Sequence, residues 1–488
     1  MKSIISINCK LGVKTGCILL GSMFLLEPIA YAVNDQVPTC GSFEVSSSGR
    51  YHFDRNLLVN WNGKGAPQGP SNHPGFGSEG QPRPMNAYAW SMASYGEHLY
   101  VGVMNRVNDR RNETGDISEG AEIWRYRPGD TVNSGTWEPE VSEGFSRLSN
   151  YGVRIMAVYN DQLFAGTFNL GTGTELWRRS QDVDDNRGQW EVIDDGGFGN
   201  AGNDSVRAMA VFNDKLYLGI KNNDDGASLY KFDAKTDAVS KVDGAEEGST
   251  IKLADDVISE LLVFGDYLWI FTWGESSLSA YRMDKNENIE LVKSVERPDL
   301  SNLDRQSRKE KREELNKADV HHSNTGVLSA GVYNNKIYVG TVNLLRGAEL
   351  FVLENTTSEK AEDIKWKRLG SNVFQKTETY LWRMQVYNDQ LYIGTWNPFR
   401  RPALSENNTG ATLYRMDKDE RFCQIMGHER LLEEGFDRSE NYGIRTMAEH
   451  KGRLFIGTAQ PFKIKPGVDD TNAAQRAGVE VWEFESAK

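Results

Sequence analysis

Short apolar runs, each broken by a two-residue polar turn, recur along most of the chain. Four of them share one frame: Arg154 to Thr167, Arg207 to Gly219, Trp382 to Thr395 and Arg445 to Thr458. Three weaker copies run from Trp90 to Gly102, Ser259 to Phe271 and Leu328 to Thr341. The copies return about every 50 to 70 residues, the period of an array of sheet units. Each copy predicts two strands joined by a tight hairpin turn. Asn160-Asp161, Asn213-Asp214 and Asn388-Asp389 occupy that turn, with Gly265-Asp266 and Lys451-Gly452 as variants. Asn, Asp and Gly tolerate the positive φ that such turns impose. The flanking runs are nearly continuous in apolar residues, so the strands are expected to be buried on both faces.

A third strand is expected around Gly120-Ala-Glu-Ile-Trp124, Gly173-Thr-Glu-Leu-Trp177, Gly226-Ala-Ser-Leu-Tyr230, Gly347-Ala-Glu-Leu-Phe351, Gly410-Ala-Thr-Leu-Tyr414 and Gly478-Val-Glu-Val-Trp482. A fourth is visible at Trp137, Trp190 to Ile193 and Trp366 to Leu369. Four antiparallel strands per unit make a propeller blade. On these repeats the chain resembles secreted seven-bladed β-propeller proteins over about residues 51–484. The expected class is all-β: a seven-bladed β-propeller of four-stranded antiparallel blades. The last copy ends after its third strand, and residues 51–61 are expected to supply the fourth, closing the ring. Helical periodicity is scarce outside 303–317, a charged stretch read as a surface insertion.

The N-terminus adds a location. Lys2, Lys10 and Lys14 precede an apolar stretch through Leu26, followed by Ala30-Tyr31-Ala32. That order predicts a signal peptide over 1–32, an N-terminal segment over 33–50 and one propeller domain over 51–488. No later apolar run is long enough to span a membrane. The expected product is secreted or periplasmic, and a monomer. Cys40 and Cys423 remain after cleavage, and an exported pair is expected to form a disulfide, here across the ring seam. The formal charge of −13 argues against a nucleic-acid partner.

The connections on one face, between second and third strands and between successive units, carry the candidate chemistry. Arg106, Arg110, Arg111, Arg400, Arg401, Lys463 and Lys465 cluster in its loops. Arg154, Arg207 and Arg445 begin the innermost strands, with Trp90 and Trp382 at the same repeat position and Trp273 and Trp396 nearby. Asn105, Asn169, Asn222, Asn343 and Asn397 follow the second strands; Tyr151 and Tyr442 sit three residues before two of the arginines. Arginine forks suit carboxylate or sulfate, and aromatic faces suit sugars. Each recurring residue also has a structural reading: Arg154, Arg207 and Arg445 as partners of neighbouring carbonyls, the asparagines as turn residues, Glu122, Glu175, Glu349 and Glu480 as blade contacts. His321-His322 enters the fifth unit, with His73 and His428 on similar connections. His can act as general base or metal ligand there.

Three functions follow. The first is binding of an acidic polysaccharide, with Arg154, Arg207, Arg445, Trp90, Trp382, Asn169 and Asn397 on the ligand. Its catalytic form is β-elimination, with Tyr151, Tyr442, His321 or His322 as base and acid; in fold and residue types the chain looks like the propeller-fold polysaccharide lyases. The second is a non-catalytic recognition or scaffold protein. The third is a calcium-dependent small-molecule hydrolase, for which Glu260 is the candidate axial carboxylate. No spacing marks a transition-metal site, so metal ligands stay unassigned; Asp-rich turns at 181–186, 222–225 and 468–470 can hold structural calcium.

Overall fold

A computed structural model describes residues 86–484, apart from 106, 109–115, 131–133, 183–186, 243–254, 275–276, 299, 316–317, 398–409, 428–433, 437–440 and 461–478. All of these lie in the unit Gln36–Lys488. The leader, Cys40, the 51–61 strand, Gly75-Phe76, His73, His428 and the basic loop residues Arg106, Arg110, Arg111, Arg400, Arg401, Lys463 and Lys465 fall outside the described residues.

The expected hairpins form. Among the described residues seven of them follow in order: Asn86–Tyr95 with His98–Asn105, Asn150–Tyr159 with Gln162–Asn169, Ser205–Phe212 with Lys215–Lys221, Val257–Phe264 with Tyr267–Trp273, Gly326–Tyr333 with Lys336–Val342, Tyr380–Tyr387 with Gln390–Trp396, and Gly443–His450 with Arg453–Ala459. Their turns have the predicted left-handed backbone, with φ of 47° and 56° at Asn160 and Asp161, and 46° and 56° at Asn334 and Asn335. Both central residues at positive φ match the right-handed twist of the strands they join.

Each hairpin is stitched to the next by one strand pairing. The contacts are Met104 with Gly152, Phe168 with Ser205, Lys221 with Val257, Trp273 with Gly326, Val342 with Tyr380 and Trp396 with Gly443. Tyr88 pairs with Ala459 and closes the circle. The result is all-β: a closed antiparallel ring of fourteen strands with further strands outside it, an arrangement that fits a β-propeller. Backbone bonds tie the second-to-third connection of one unit to the entry of the next, as in Ala121 N–H to Asn150 O (2.7 Å), Thr174 to Asn203 (2.7 Å) and Ala411 to Asn441 (2.8 Å). The same link joins the last unit to the first, from Val479 N–H to Asn86 O at 2.8 Å. These connections therefore share one face.

The outer strands need two corrections. The third strand starts later than the Gly-x-Glu motif, at Ile123, Leu176, Leu350 and Val481. The motif itself is a connector whose glutamate turns inward. Glu480 is fully buried and accepts from Asn441 Nδ2 (2.7 Å) and Trp482 Nε1 (3.0 Å); Glu122 and Glu175 repeat the pattern with Asn86 and Trp124, and with Asn150 and Trp177. A buried carboxylate is tolerable only with donors of this kind. Fourth strands also form at Ala238–Lys241 and Ile289–Glu296, which the repeat did not mark, and at Phe422–Met426, around Cys423. The charged insertion is a helix, Arg305–Leu315. The Gly-Phe pairs have a role as well: Phe145 stacks on Trp177 (4.4 Å) and Phe436 on Trp482 (4.3 Å).

The apolar core lies between units rather than within one. Val101 and Trp124 of the first unit, for example, cluster with Phe455 and Val481 of the last. At that seam His450, 2 % exposed, meets Ser94 Oγ through Nδ1 (2.8 Å) and the Glu97 carbonyl through Nε2 (3.3 Å). Burial, more than any neighbour, holds its pKa down from 6.5 to about 4. A depressed histidine contributes stability that is full above 6.5 and is lost as pH falls through about 4. Wild type is expected to lose about 3 kcal/mol across that window from this group. His450→Gln should be less stable at neutral pH but flat between those limits; urea melts at each pH check it. Cys423 is buried as well.

Candidate functional site

A β-bulge sits at one repeated position on the first strand of every hairpin. The pairing register skips between Ala89 and Ser91, Val153 and Ile155, Val206 and Ala208, Ile258 and Glu260, Val327 and Ser329, Leu381 and Arg383, and Ile444 and Thr446. The skipped residues are Trp90, Arg154, Arg207, Ser259, Leu328, Trp382 and Arg445. A bulge removes a residue from the ladder and re-aims its side chain. Here it does so once per unit, on the strands of the inner ring.

Three of the seven are arginines outside any ion pair among the described residues. The guanidinium groups of Arg154, Arg207 and Arg445 make no hydrogen bond and no ion pair among the described residues, and the Nε of each is buried without a partner. Arg154 and Arg445 are 6 % and 5 % exposed. What they touch is aromatic: Arg154 lies 5.0 Å from the Trp90 ring, Arg445 5.0 Å from Trp382, and Arg207 4.9 Å from Trp273. Such stacking contributes about 0.5–2 kcal/mol, against a desolvation cost of several kcal/mol per buried ion. Burial, then mutual repulsion with other arginines, pushes the pKa of Arg154 and Arg445 far down; burial alone takes Arg207 to about 10. Arginine stays charged in proteins, so its burial here beside other arginines is the kind of site that an anion would stabilise.

Arg383 and Glu260 complete the set. Each follows its bulge position by one residue. Arg383 Nη1 is 3.4 Å from Glu260 Oε2, and the pair is partly buried. Glu260 is the carboxylate that acts on all four arginines, and burial raises its own pKa. The aromatic surround continues above. Tyr88 stands edge-on to Trp90 (6.0 Å) and Trp382 (5.9 Å), and its hydroxyl bonds that of Tyr442. Trp396 packs on Tyr380 (4.1 Å) and Tyr442 (5.9 Å), with its Nε1 donor buried and unpaired. Burial pushes the phenols of Tyr88 and Tyr380 up to about 12, so both stay protonated donors at neutral pH.

The structure sorts the expected residues. Arg154, Arg207, Arg445, Trp90, Trp382 and Tyr442 come together. Tyr151 lies further out, packed on Phe168 (6.1 Å), which is itself edge-on to Trp90 (5.4 Å). Asn397 donates its backbone N–H to the Tyr442 carbonyl (2.8 Å) and leaves its Oδ1 buried without a partner. Asn169 is a correction: its amide is saturated by Asn150, Thr172 and the N–H groups of Gly171 and Thr172, all at 2.9–3.1 Å, which makes it a turn residue. His321 and His322 stack on each other (4.1 Å), and His321 bonds Ser323 Oγ (2.6 Å). Burial, then the charge of Arg346, lowers both, His321 to about 4. The arginines that act on them are Arg346, Arg368 and Arg297, none from the axial set. No cluster of metal-ligating side chains occurs among the described residues, and four guanidiniums around Glu260 make a field that repels a divalent cation.

No family model matches this sequence, and no curated protein does. Solved structures do align. A 6-phosphogluconolactonase-like protein of Bacteroides fragilis has 10 % identity over 69 % of this chain and 83 % of its own, with a TM-score of 0.42. Sqt1 of Chaetomium thermophilum, solved bound to the N-terminus of a ribosomal protein, has 9 % identity over 82 % and 97 %, with a TM-score of 0.43. Both likenesses are too loose to carry function, and the fold rests on the chain's own strand pairing.

Proposed function

We propose that this chain is a secreted seven-bladed β-propeller whose axial pocket binds the anionic groups of an extracellular ligand, an acidic polysaccharide. The observation that carries the reading is the trio of guanidiniums on Arg154, Arg207 and Arg445, each with its Nε buried and unbonded and each backed by a tryptophan face. Charge-assisted bonds to an anion would satisfy them, and the aromatic walls suit a sugar ring. In this reading residues 1–32 are removed, 51–61 complete the last blade and Cys40 pairs with Cys423.

Binding is favoured over β-elimination. A base must reach the proton that it removes, and the arginines that act on His321 and His322 are Arg346, Arg368 and Arg297, none from the axial set. The test is calorimetry against a panel of uronate-bearing and sulfated polysaccharides, with ultraviolet absorbance followed for new double bonds. At least one polymer should bind, and Arg445→Gln should weaken it about tenfold or more, the scale of a hydrogen bond to a charged group. Appearance of unsaturated product would move the reading to a lyase. Absence of binding across the panel, or an unaffected Arg445→Gln, overturns it. A second reading, recognition of a macromolecule, is favoured by exposed Leu148, Leu170, Leu344 and Leu345 on the connections of the same face.

A further inference from the structure

Resting on that axial reading, we propose that Glu260 is the site's resident counter-anion: in the free protein it holds Arg383, and a ligand anion binds in competition with it. Four guanidiniums converge; Glu260 is the carboxylate that acts on all of them, and Asp204 acts on Arg207 as well. Glu260 comes from the fourth hairpin and Arg383 from the sixth, so the pair reaches past the fifth, whose residues at these two positions are Leu328 and Ser329. Ser329 Oγ donates its proton to the Leu381 carbonyl (2.8 Å) and, being neutral, brings no charge to balance Arg383. The pair is long for an ion pair, at 3.4 Å, and partly exposed: 31 % for the arginine side chain and 15 % for the glutamate. It is an attachment that a better-placed oxyanion can displace, because the ligand gains four guanidiniums where Glu260 reaches one.

The competition makes the site pH-dependent. The groups that the inner strands bring to it are Tyr88, Arg154, Arg207, Glu260, Tyr380, Arg383 and Arg445, with Asp204 just before the third inner strand and Tyr442 just before the seventh. The arginines remain charged across the neutral range, and Tyr88 and Tyr380 remain protonated. Among the groups that act on all four arginines, Glu260 is the one that takes up a proton as pH falls, and burial raises it above its ordinary 4.5. As pH falls it takes up a proton, releases Arg383 and removes one negative charge that repels the ligand.

Inorganic sulfate is the probe, because it does not titrate over the range. Its affinity for the full mature chain would be measured by tryptophan fluorescence and calorimetry from about pH 8 down to about pH 5. Wild type should bind tighter as pH falls. Glu260→Gln should bind about tenfold tighter at neutral pH and show no pH dependence, with Glu260→Asp restoring the slope. If sulfate binds both proteins equally and with one pH profile, Glu260 is not the competitor, although the anion site stands. If sulfate binds neither wild type nor Glu260→Gln, when circular dichroism shows both folded, the axial reading falls with it.

Discussion

Arg445→Met is expected to melt at a higher temperature than wild type while losing the affinity of the axial pocket for anions. The side chain is 5 % exposed, its Nε has no acceptor and its one strong contact is the face of Trp382. Methionine keeps most of that contact and brings no charge into the ring. Replacement of buried ionic groups by apolar ones of similar volume stabilises by about 1–4 kcal/mol in favourable cases. The lower half of that range applies here, because cation–π attraction is forfeited. Arg154→Met should behave alike, and Arg207→Met, more exposed and less depressed, should gain less. Calorimetric melts of the three variants decide it. A loss of stability in both Arg445→Met and Arg154→Met would mean that these arginines have structural partners after all. A gain in stability at the expense of binding is the signature of residues kept for function.

Gly443→Ala should be the most damaging single methyl group in the ring. A Cβ there would overlap the Trp382 ring and stand 3.0 Å from Trp396 Cδ1. Neither neighbour is the free end of a flexible chain: Trp382 is 7 % exposed beneath Arg445, and Trp396 is wedged against Tyr380 and Tyr442. Gly443 also forms the pairing that joins the sixth hairpin to the seventh. Overpacking of this kind costs about 1–3 kcal/mol, and the upper end is expected. The displaced tryptophan should also weaken anion binding without any change in the arginines. Gly152→Ala, which would meet Trp90 in the same way, should repeat both effects. Gly96→Ala is the control: its φ is +56° but nothing lies within 4 Å, so only a backbone cost of about 1 kcal/mol applies. Equal stability of Gly443→Ala and wild type would sink the packing argument.

The hairpins were legible because their turns are local. Asn160-Asp161 and its counterparts announce positive φ in two residues, and the apolar runs beside them need no distant partner to be read. The fourth strands at Ala238–Lys241 and Ile289–Glu296 were not legible, since their pairing comes from the neighbouring strand. The arginine column at 154, 207 and 445 was visible as a repeat, but the repeat alone could not distinguish a carbonyl partner from an empty fork. Arg383 escaped because it stands one residue beyond that column. Only the bulge, a register shift with no sequence mark, brings both positions to the axis. The asparagines carried an overlooked signal. Asn86 with Asn105, Asn150 with Asn169, Asn203 with Asn222, and Asn324 with Asn343 are bonded side chain to side chain, each 19 residues apart. A fixed internal spacing of paired amides belongs to the frame and not to a ligand.

The bulge has a consequence for how such a ring can change over time. A residue outside the ladder contributes nothing to strand pairing, so its identity is free of the constraint that fixes its neighbours. Seven such positions recur at one level of the ring, filled here by Trp90, Arg154, Arg207, Ser259, Leu328, Trp382 and Arg445. They behave like the wheels of a combination lock, each set by a single codon while the case stays shut. Copies of this scaffold that diverge in chemistry should therefore differ first at these seven letters, long before their hairpins do.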